Sequence, residues 1–599
     1  MNKLVDIDIT DENTQLELSS KIPENNNYLI NKNLVEWFQN IVKENPNKIA
    51  TQEIEYIDEP VIQELTYMQL HLKSNRIANK LLDLEIKPNN IVVIHLKSKL
   101  ELSICIWGII KSGSAYCIIN SESNPEYINK IIDTINPNCI ITDKDIDCPS
   151  GKVVSFPSLL DCSNDSTPGI DYNLDNLLYC TLTSGTSDKP KAVMVKQRGI
   201  LNTIFWRINN YKYNISNVTF SVLNPAFDAF GADFYASMLS GGTLICTSIE
   251  NKGNYYEILK IMQNMSITNI TITPTNLYNI LQIMKSPLDT PLKFIILGGE
   301  ALSKQLLNQI FKLFPDIEVY NEYGPTENSI TTTCSQLKYI EDYDNIGKPL
   351  PNNKLYLIEN GKISDKGELY ISGIGLAEGY LNEIDKTKDM FINNPFQKDK
   401  KMYRTGDIAY LDNEGNYHFK KRNDRKVKIH GYFIDLERIE KCLLEMDNIH
   451  KVKAELQIDK KTQHQLIYIY VSSFNNNQKI NINDVHEHLK ENLFDYKINY
   501  KIIQQDQFAI NANGKADGKL SSQTNNSNID EFLNNCWENL LGIVNINPDT
   551  SFFDLGGNSL LVMDLFLMIE EKFPGKIKLP DLFEYYSINK LSEYIKNKI

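Results

Sequence analysis

Short apolar runs alternate with helix-length amphipathic segments through much of this chain, and that alternation is what most constrains its fold. Runs such as Ile91 to Ile94, Cys139 to Ile141 and Phe294 to Leu297 have the length and β-branched content of buried strands. Segments such as Arg76 to Leu84 and Lys304 to Phe314 lie between such runs and carry apolar residues at helical spacing. Strands that alternate with helices predict an α/β fold with mixed or parallel sheets.

The length and the changes in sequence texture predict several domains. At 599 residues the chain is longer than a single hydrophobic core normally supports. Hairpin-like strands follow residue 350, a polar linker follows residue 520, and the last seventy residues or so have helical periodicity. We expect a flexible lead-in over 1–30, a large α/β subdomain over 31–423, a small α+β subdomain over 424–520, a linker over 521–528 and a small all-α domain over 529–599.

Charge and cysteine usage narrow the classes of function. The net charge of −14 argues against nucleic-acid or anionic-membrane partners. None of the ten cysteines forms a CxxC pair, and His486 and His488 are too closely spaced for zinc, so we expect no metal cluster or disulfide framework. The first twenty residues lack a signal peptide, and no apolar run is long enough to span a bilayer. We therefore predict a cytoplasmic location with reduced thiols.

Two motifs carry most of the chemical information. The loop from Thr183 to Lys191 combines hydroxyl side chains, a glycine and two lysines behind an expected strand, and such a loop can hold phosphate oxygens. A solvated Ser/Thr turn is the alternative. Near the C-terminus, Phe552 to Leu560 places Ser559 at the start of a helix, where a modifying enzyme can reach it. An ordinary helix-capping serine is the alternative there.

Six motifs follow one another in a fixed order. They are Lys111-Ser112-Gly113-Ser114-Ala115-Tyr116, the loop at 183–191, Asn321-Glu322-Tyr323-Gly324-Pro325-Thr326-Glu327, Gly367-Glu368-Leu369-Tyr370-Ile371-Ser372-Gly373, Tyr403-Arg404-Thr405-Gly406-Asp407 and Asn513-Gly514-Lys515. In this order the chain resembles the adenylation domains of nonribosomal peptide synthetases, within the wider family of acyl- and aryl-adenylating enzymes. The resemblance covers roughly residues 30–520, and residues 527–599 resemble the four-helix carrier (thiolation) domain of the same synthetases.

The resemblance implies a site for ATP and Mg²⁺. The implied ATP-binding residues are Thr183, Ser184, Gly185, Thr186, Ser187, Lys191, Tyr323, Asp407 and Arg422. Glu327 matches the magnesium ligand, and Thr326 would contact the α-phosphate. These charges have a chemical reason, because attack of a carboxylate on the α-phosphorus brings two anions together.

The resemblance also implies two residues that organise the reaction. Lys515 matches the lysine that bridges the substrate carboxylate and the α-phosphate, although a solvated lysine in an Asn-Gly turn is the alternative. Asp424 matches the hinge about which the small subdomain turns. That turn removes the lysine and admits a pantetheine thiol, so one site serves two half-reactions.

Asp228 indicates the class of substrate. In the family this aspartate pairs with the α-ammonium group of an amino acid, and a buried carboxylate is costly without such a cation. An ordinary capping aspartate is the alternative. The resemblance implies a side-chain pocket of Asp228, Ala229, Ala232, Thr271, Ile296, Gly298, Glu322, Ile330 and Thr331, together with Lys515. Its size and polarity favour tyrosine first and tryptophan next, with ornithine or lysine as rivals that would neutralise Glu322.

Ser559 matches the attachment residue for 4'-phosphopantetheine, so the resemblance implies a phosphopantetheinyl transferase as a partner. The chain has no His-His-x-x-x-Asp-Gly condensation motif and no Gly-x-Ser-x-Gly thioesterase motif. It would therefore load an amino acid on itself and depend on a downstream condensation or tailoring enzyme supplied in trans.

Four positions depart from the family pattern. Asp188 and Ala192 stand where glycine is usual, no glycine precedes Arg422, and Glu437-Arg438 replaces a Gly-Glu pair. Asp188 leaves a second reading open, in which the chain is a carrier scaffold with an impaired adenylation domain, loaded in trans. A third reading, an acyl-CoA ligase, is opposed by Asp228 and by the fused carrier domain.

Overall fold

The computed structural model describes most of the chain and divides it into two units. The described residues are 32–56, 60–146, 148–149, 151–183, 190–247, 255–284, 290–429, 432–446, 448–458, 465–473, 480–493, 500–504, 529–541, 546–552, 555, 559–573, 575–577 and 581–598. The first unit comprises 1–251, 261–277 and 286–434, and the second comprises 252–260, 278–285 and 435–599. Each is described by itself below.

The described elements alternate as the sequence predicts. The strands are β1 Ile49–Tyr56, β2 Pro60–Thr66, β3 Ile91–His95, β4 Ala115–Ile118, β5 Cys139–Thr142, β6 Lys152–Val154, β7 Leu177–Thr183, β8 Lys191–Lys196, β9 Val218–Ser221, β10 Thr243–Thr247, β11 Asn269–Ile272, β12 Phe294–Gly298, β13 Glu318–Tyr323, β14 Thr333–Leu337, β15 Asn345–Pro349, β16 Asn353–Glu359, β17 Lys362–Ile363, β18 Lys366–Gly373, β19 Gly379–Tyr380, β20 Phe391–Asn393, β21 Lys401–Leu411, β22 Tyr417–Arg422, β23 Lys426–Ile429, β24 Tyr432–Asp435, β25 Lys451–Ile458, β26 Gln465–Ser472 and β27 Tyr500–Gln504. The α-helices are α1 Leu34–Glu44, α2 Tyr67–Asp83, α3 Lys99–Lys111, α4 Pro125–Ile135, α5 Phe156–Leu160, α6 Gln197–Asn210, α7 Asp228–Ser240, α8 Tyr255–Asn264, α9 Pro274–Ile283, α10 Lys304–Leu313, α11 Ile384–Met390, α12 Leu436–Leu444, α13 Ile482–Asn492, α14 Ile529–Leu541, α15 Ser559–Lys572, α16 Asp581–Glu584 and α17 Ile588–Lys596.

The first unit is built on two sheets. Within the described residues, one sheet has seven strands in the order β19-β8-β7-β4-β3-β5-β6, and the other has fifteen strands. The larger sheet runs β17-β16-β18-β21-β22-β15-β14-β13-β12-β11-β9-β10-β1-β2, with β20 paired to β21. Strands β9 to β13 pair in parallel, whereas β13 to β22 pair with antiparallel neighbours. The predicted mixed α/β architecture is confirmed.

The parallel part of the larger sheet positions the candidate site. Because β11, β12 and β13 run in parallel and in register, their carboxyl ends meet at one edge of the sheet. The register pairs Thr271 with Ile296 and Gly298 with Glu322. Four of the predicted pocket residues therefore become neighbours through backbone pairing alone.

The second unit contains a small sheet and a helical domain. The sheet pairs β25 antiparallel to β26 and β26 parallel to β27. The helices α14, α15, α16 and α17 account for the helical periodicity that the sequence shows in this region. Their core includes Leu533, Trp537, Phe552, Val562, Leu565, Ile569 and Leu591. No helix in the described part of the chain is long and apolar enough to cross a membrane.

His418, on β22, lies between two carboxylates of the first unit. Its Nδ1 is 3.0 Å from Asp344 Oδ1, and its Nε2 is 3.0 Å from Asp412 Oδ2. The ring also stacks on Tyr410, with centroids 4.6 Å apart. Burial lowers the pKa of His418, but the hydrogen bonds and charges of the two aspartates outweigh it and raise the pKa above the ordinary value.

We expect His418→Gln to remove a pH-dependent contribution to stability. A histidine whose folded-state pKa is raised contributes fully below its unfolded pKa, and the contribution is lost as the pH rises through the folded pKa. The wild-type advantage in the free energy of unfolding should therefore be larger at pH 6 than at pH 8, by about 1 kcal/mol. Urea unfolding of both proteins at the two pH values measures it. A difference that does not change with pH would assign the effect to packing on Tyr410.

Candidate functional site

Asp407 on β21 is held by two partners. The register of β21 with β22 places it opposite Arg422, whose Nη1 donates to Asp407 Oδ1 at 2.6 Å. The Tyr323 hydroxyl, at the end of β13, donates to Asp407 Oδ2 at 2.5 Å. Gly406 has φ +75°, and a Cβ there would lie 3.0 Å from the Arg422 guanidinium, so a side chain would crowd the pair. Three predicted ATP-binding residues thus form one cluster.

Electrostatics keep this carboxylate ready for hydrogen-bond donors. Burial raises the pKa of Asp407, while the charge of Arg422 and the Tyr323 hydroxyl act in the opposite direction. Burial lowers the pKa of Arg422, but its hydrogen bond to Asp424 and the Asp407 charge raise it overall. The arrangement presents an anionic acceptor, and the two hydroxyls of a ribose are donors that fit it.

Arg422 also binds the predicted hinge residue. Its Nε and Nη2 donate to Asp424 Oδ1 and Oδ2 at 2.7 and 2.8 Å. Burial raises the pKa of Asp424, but the hydrogen bond and charge of Arg422 outweigh it and lower the pKa. One guanidinium therefore joins Asp407 to the segment at which the first unit ends.

A second group of residues surrounds Glu327, which lies in the 3₁₀ turn Thr326–Asn328. The Tyr380 hydroxyl donates to Glu327 Oε1 at 2.7 Å, and the Lys191 ammonium lies 5.3 Å from the Tyr380 ring centre. The pKa of Lys191 falls to about 7, because of burial and then the neighbouring charges of Lys386 and Lys426. Cations crowded around one carboxylate fit a polyanion and a divalent cation, such as a triphosphate with Mg²⁺.

The predicted phosphate loop connects two paired strands. Thr183 ends β7 and pairs with Lys191, which begins β8. Ser184, Gly185, Thr186, Ser187 and Asp188 lie outside the described residues, as does Lys515. Ala192 is fully buried and packs among apolar side chains of the seven-stranded sheet, so its methyl group replaces glycine without entering the loop.

Asp228 begins α7 and has a carboxylate oxygen, Oδ2, that is buried with no hydrogen-bond partner among the described residues. Burial raises its pKa, while the Thr326 hydroxyl and the charge of Lys428 act in the opposite direction. A buried oxygen of this kind costs free energy until a donor arrives. The α-ammonium group of an amino acid is such a donor, so the geometry fits the predicted role.

The remaining pocket residues lie on α7, on three strands of the larger sheet and in the segment before β14. Ala229 and Ala232 lie on the first turns of α7, Thr271 on β11, Ile296 and Gly298 on β12, Glu322 on β13, and Ile330 and Thr331 in the segment before β14. Ala232, Ile296 and Thr331 are at most 1% exposed, whereas Ala229 and Gly298 are half-buried. Two contacts join part of this set: Thr271 donates to Asp233 of α7, and Thr331 donates to Glu322.

The polarity of Glu322 differs from the prediction. Sequence reasoning expected its carboxylate to accept a hydrogen bond from a tyrosine or tryptophan side chain, or to be neutralised by a basic one. Instead, Arg207 on α6 donates through Nη1 to both Glu322 oxygens, at 2.6 and 2.7 Å. The Tyr211 and Thr331 hydroxyls donate to it as well, at 2.6 and 2.8 Å. The expectation is corrected because the protein itself supplies the cation and the donors.

Arg207 also binds a second carboxylate that sequence reasoning missed. Its Nη2 donates to Asp233 Oδ1 at 3.0 Å and to Thr271 Oγ1 at 2.7 Å, and Thr271 donates to Asp233 at 2.5 Å. Arg207 and Asp233 are 0% exposed. One sequence signal was available, because Arg207 shares a helical face with the buried residues Ile200 and Ile204.

In the helical domain, Ser559 is the first residue of α15, as predicted. Phe552, from the motif before it, is buried, and its ring lies 4.9 Å from that of Trp537. Residues 553–554 and 556–558 lie outside the described part of the chain. The fold therefore places the candidate attachment serine at the beginning of a helix whose side chains join the core of this domain.

Comparison with known proteins gives matches at both sites. Residues 38–381 match the family described as AMP-binding enzyme, and residues 531–595 match the family described as phosphopantetheine attachment site. Bacitracin synthase 3 of Bacillus licheniformis is 29% identical over 99% of this chain and 10% of its own length. Gramicidin S synthase 2 of Brevibacillus brevis is 30% identical over 100% of this chain and 14% of its own. The chain thus spans about a tenth to a seventh of these relatives.

Solved structures share the fold of this chain. PA1221, an NRPS protein containing adenylation and PCP domains bound to a vinylsulfonamide inhibitor, matches with a TM-score of 0.76 and 20% identity, over 94% of this chain and 96% of that one. NpsA-ThdA, an artificially fused adenylation-PCP di-domain from Klebsiella oxytoca, matches with a TM-score of 0.69 and 19% identity, over 95% and 99%.

The chain belongs to the AMP-binding enzyme family. Within that family it has the fold of a nonribosomal peptide synthetase adenylation domain joined to a peptidyl carrier domain, with a phosphopantetheine attachment site in the carrier.

Proposed function

We propose that this chain adenylates an amino acid with ATP and loads it onto its own carrier domain at Ser559, as a loading module of nonribosomal peptide synthesis. The observation that carries the proposal is the buried oxygen of Asp228, which has no hydrogen-bond partner in the part of the chain that the structure describes. A carboxylate in that state favours a substrate that brings its own ammonium group. An aryl or acyl acid lacks that group.

Each residue then has a defined task in the first half-reaction. Asp228 holds the ammonium group, and Asp407 with Arg422 holds the ribose. Lys191 neutralises phosphate charge, and Glu327 would hold Mg²⁺. A carboxylate oxygen of the amino acid attacks the α-phosphorus, the bond to the bridging oxygen breaks, and pyrophosphate leaves.

In the second half-reaction, Ser559 would hold a 4'-phosphopantetheine arm, and the thiol of that arm would accept the aminoacyl group, with AMP as the leaving group. A phosphopantetheinyl transferase would install the arm, and a downstream condensation or tailoring enzyme would act in trans. A cytoplasmic location completes the proposal, supported by ten free cysteines, eight of them buried.

Tyrosine, tryptophan and the basic amino acids are the candidate substrates that the pocket residue types favoured. Tyrosine and tryptophan depended on Glu322 as an acceptor, and the basic amino acids depended on its uncompensated charge. Both supports are weakened by the contacts of Arg207, Tyr211 and Thr331 with Glu322.

Intact-protein mass measurement tests the function. The chain is first phosphopantetheinylated and then incubated with ATP, Mg²⁺ and single amino acids, with pyrophosphate exchange measured in parallel. Amino-acid-dependent exchange together with an added mass supports the proposal. An unloaded arm and no exchange with any amino acid would favour the carrier scaffold loaded in trans, with Asp188 the first residue to replace.

We expect Asp407→Ala to raise the KM for ATP by roughly 10- to 100-fold, because a charged acceptor of two ribose hydroxyls is lost. Arg422 keeps Asp424 as its partner, so the variant should fold. Pyrophosphate exchange at varied ATP gives the constant. Asp365→Ala, an exposed aspartate of the same unit, is the matched control and should behave as wild type. Equal KM values for ATP in both variants would show that Asp407 does not bind ATP.

A further inference from the structure

The predicted pocket ends in a set of buried charges, which we call the Arg207 cluster and define as Arg207, Asp233, Thr271 and Glu322. Every oxygen of Glu322 already accepts two hydrogen bonds from the protein. The Arg207 guanidinium lies over the Tyr211 ring as well, 5.6 Å from its centre. The Glu322 carboxylate is therefore saturated by the protein's own donors.

The cluster is also closed to solvent. Neither Arg207 nor Asp233 exposes any side-chain surface, and the Glu322 side chain is 8% exposed. A substrate side chain can therefore reach only the edge of Glu322. It cannot reach Asp233 unless Arg207 moves, and moving Arg207 would separate a buried ion pair, which is costly.

The pocket residues differ in burial. Asp228, Ala229 and Gly298 are half-buried, whereas Ala232, Ile296 and Thr331 are buried. A side chain that extends a few atoms beyond Cα therefore meets apolar walls first and the Arg207 cluster next. Neither the apolar walls nor Glu322 offers an unused acceptor to a phenol, an indole or an ammonium group. Asp233 Oδ2 has no hydrogen-bond partner among the described residues, but the Asp233 side chain is 0% exposed.

Resting on the proposed function, we infer that Arg207 sets the specificity of the adenylation site and that the substrate is an amino acid with a small, neutral, apolar side chain. Arg207 fills the space that a large side chain would need. It also supplies the positive charge that a basic side chain would otherwise bring to Glu322. Alanine and valine represent the favoured class, and tyrosine, lysine and ornithine represent the excluded classes.

The test is the substrate profile of pyrophosphate exchange, measured on the full chain with alanine, valine, tyrosine, lysine and ornithine. The wild-type protein should use alanine or valine at least roughly tenfold better than the other three. A wild-type preference for tyrosine, lysine or ornithine overturns the inference and leaves the proposed function intact. Exchange with no amino acid overturns the proposed function, and the inference falls with it.

Two variants separate volume from charge. Arg207→Ala opens the pocket and leaves Glu322 without its cation, so exchange with lysine or ornithine should rise at least roughly tenfold relative to alanine. The matched control combines Arg207→Met, Glu322→Gln and Asp233→Asn, which keeps the volume and removes the charges. It should keep the wild-type preference and gain nothing with lysine.

Melting temperatures show which variants fold. Replacing a buried ion cluster by neutral groups of similar size is often tolerated, so the triple variant should fold even if Arg207→Ala does not. A folded Arg207→Ala protein with the wild-type profile overturns the inference. A triple variant that gains exchange with lysine also overturns the inference, because that variant has no uncompensated carboxylate to bind the ammonium group of lysine.

Discussion

Ser559→Ala should abolish loading completely while pyrophosphate exchange stays at the wild-type rate. The reason is that attachment of the arm needs the hydroxyl of Ser559, whereas the residues that we assign to adenylation all lie in the first unit or at Lys515. Intact mass after treatment with a phosphopantetheinyl transferase, ATP and the amino acid should show no added arm and no added amino acid. Exchange is measured on the same preparation.

The matched control is Ser587→Ala, in the same helical domain. The Ser587 side chain caps α17 by accepting from the backbone of Lys590. Its loss should lower stability by about 1 kcal/mol, yet loading should persist. Loading of the Ser559→Ala protein, or loss of loading in both variants, would contradict the assignment of Ser559 as the attachment residue.

Asp228→Ala should reduce kcat/KM for the amino acid by roughly 100- to 1,000-fold, because the ammonium group would be buried without its counter-charge. The KM for ATP should change little. The free protein should melt at the same temperature or higher, since burial already raises the pKa of Asp228 and one of its oxygens has no partner. Pyrophosphate exchange and thermal melting measure the two effects.

The control for this variant is Asp316→Ala, an exposed aspartate of the same unit. It should keep wild-type exchange and wild-type stability. If Asp228→Ala lowered both activity and melting temperature, Asp228 would have a structural role, and the proposal of an amino-acid substrate would lose its main support.

Much of the fold could be predicted from local patterns. The helix expected from Lys304 to Phe314 is Lys304–Leu313, and the strand expected from Ile91 to Ile94 is Ile91–His95. The helix expected from Arg76 begins at Tyr67 instead. The reason is local, because Thr66 and Gln69 form a capping box, which fixes the start of the helix at Tyr67.

The site residues that belong to motifs could be predicted from the sequence. The site residues that lie outside any motif could not. Asp407, Tyr323 and Arg422 were assigned from the order of the motifs, and the strands that carry them belong to one sheet. Arg207 and Asp233 lie inside helices with no motif, and their partners, which include each other, come from distant parts of the chain. A charge on a buried helical face shows that a partner exists. The tertiary structure decides which partner it is.

The placement of the cysteines has a practical consequence for studying the carrier. Burial raises the pKa of Cys105, Cys117 and Cys246, so these thiols stay protonated and shielded from alkylating reagents at neutral pH. Cys334 is held against the Tyr211 hydroxyl, with 3.3 Å between Sγ and oxygen, which leaves Cys162 as the main background. A maleimide dye added to the native phosphopantetheinylated chain would therefore label the prosthetic thiol selectively. Because the dye reacts only with a free thiol, the labelled fraction in samples taken at successive times would report how much of the arm is still unloaded, without engineered cysteines or radioactive substrates.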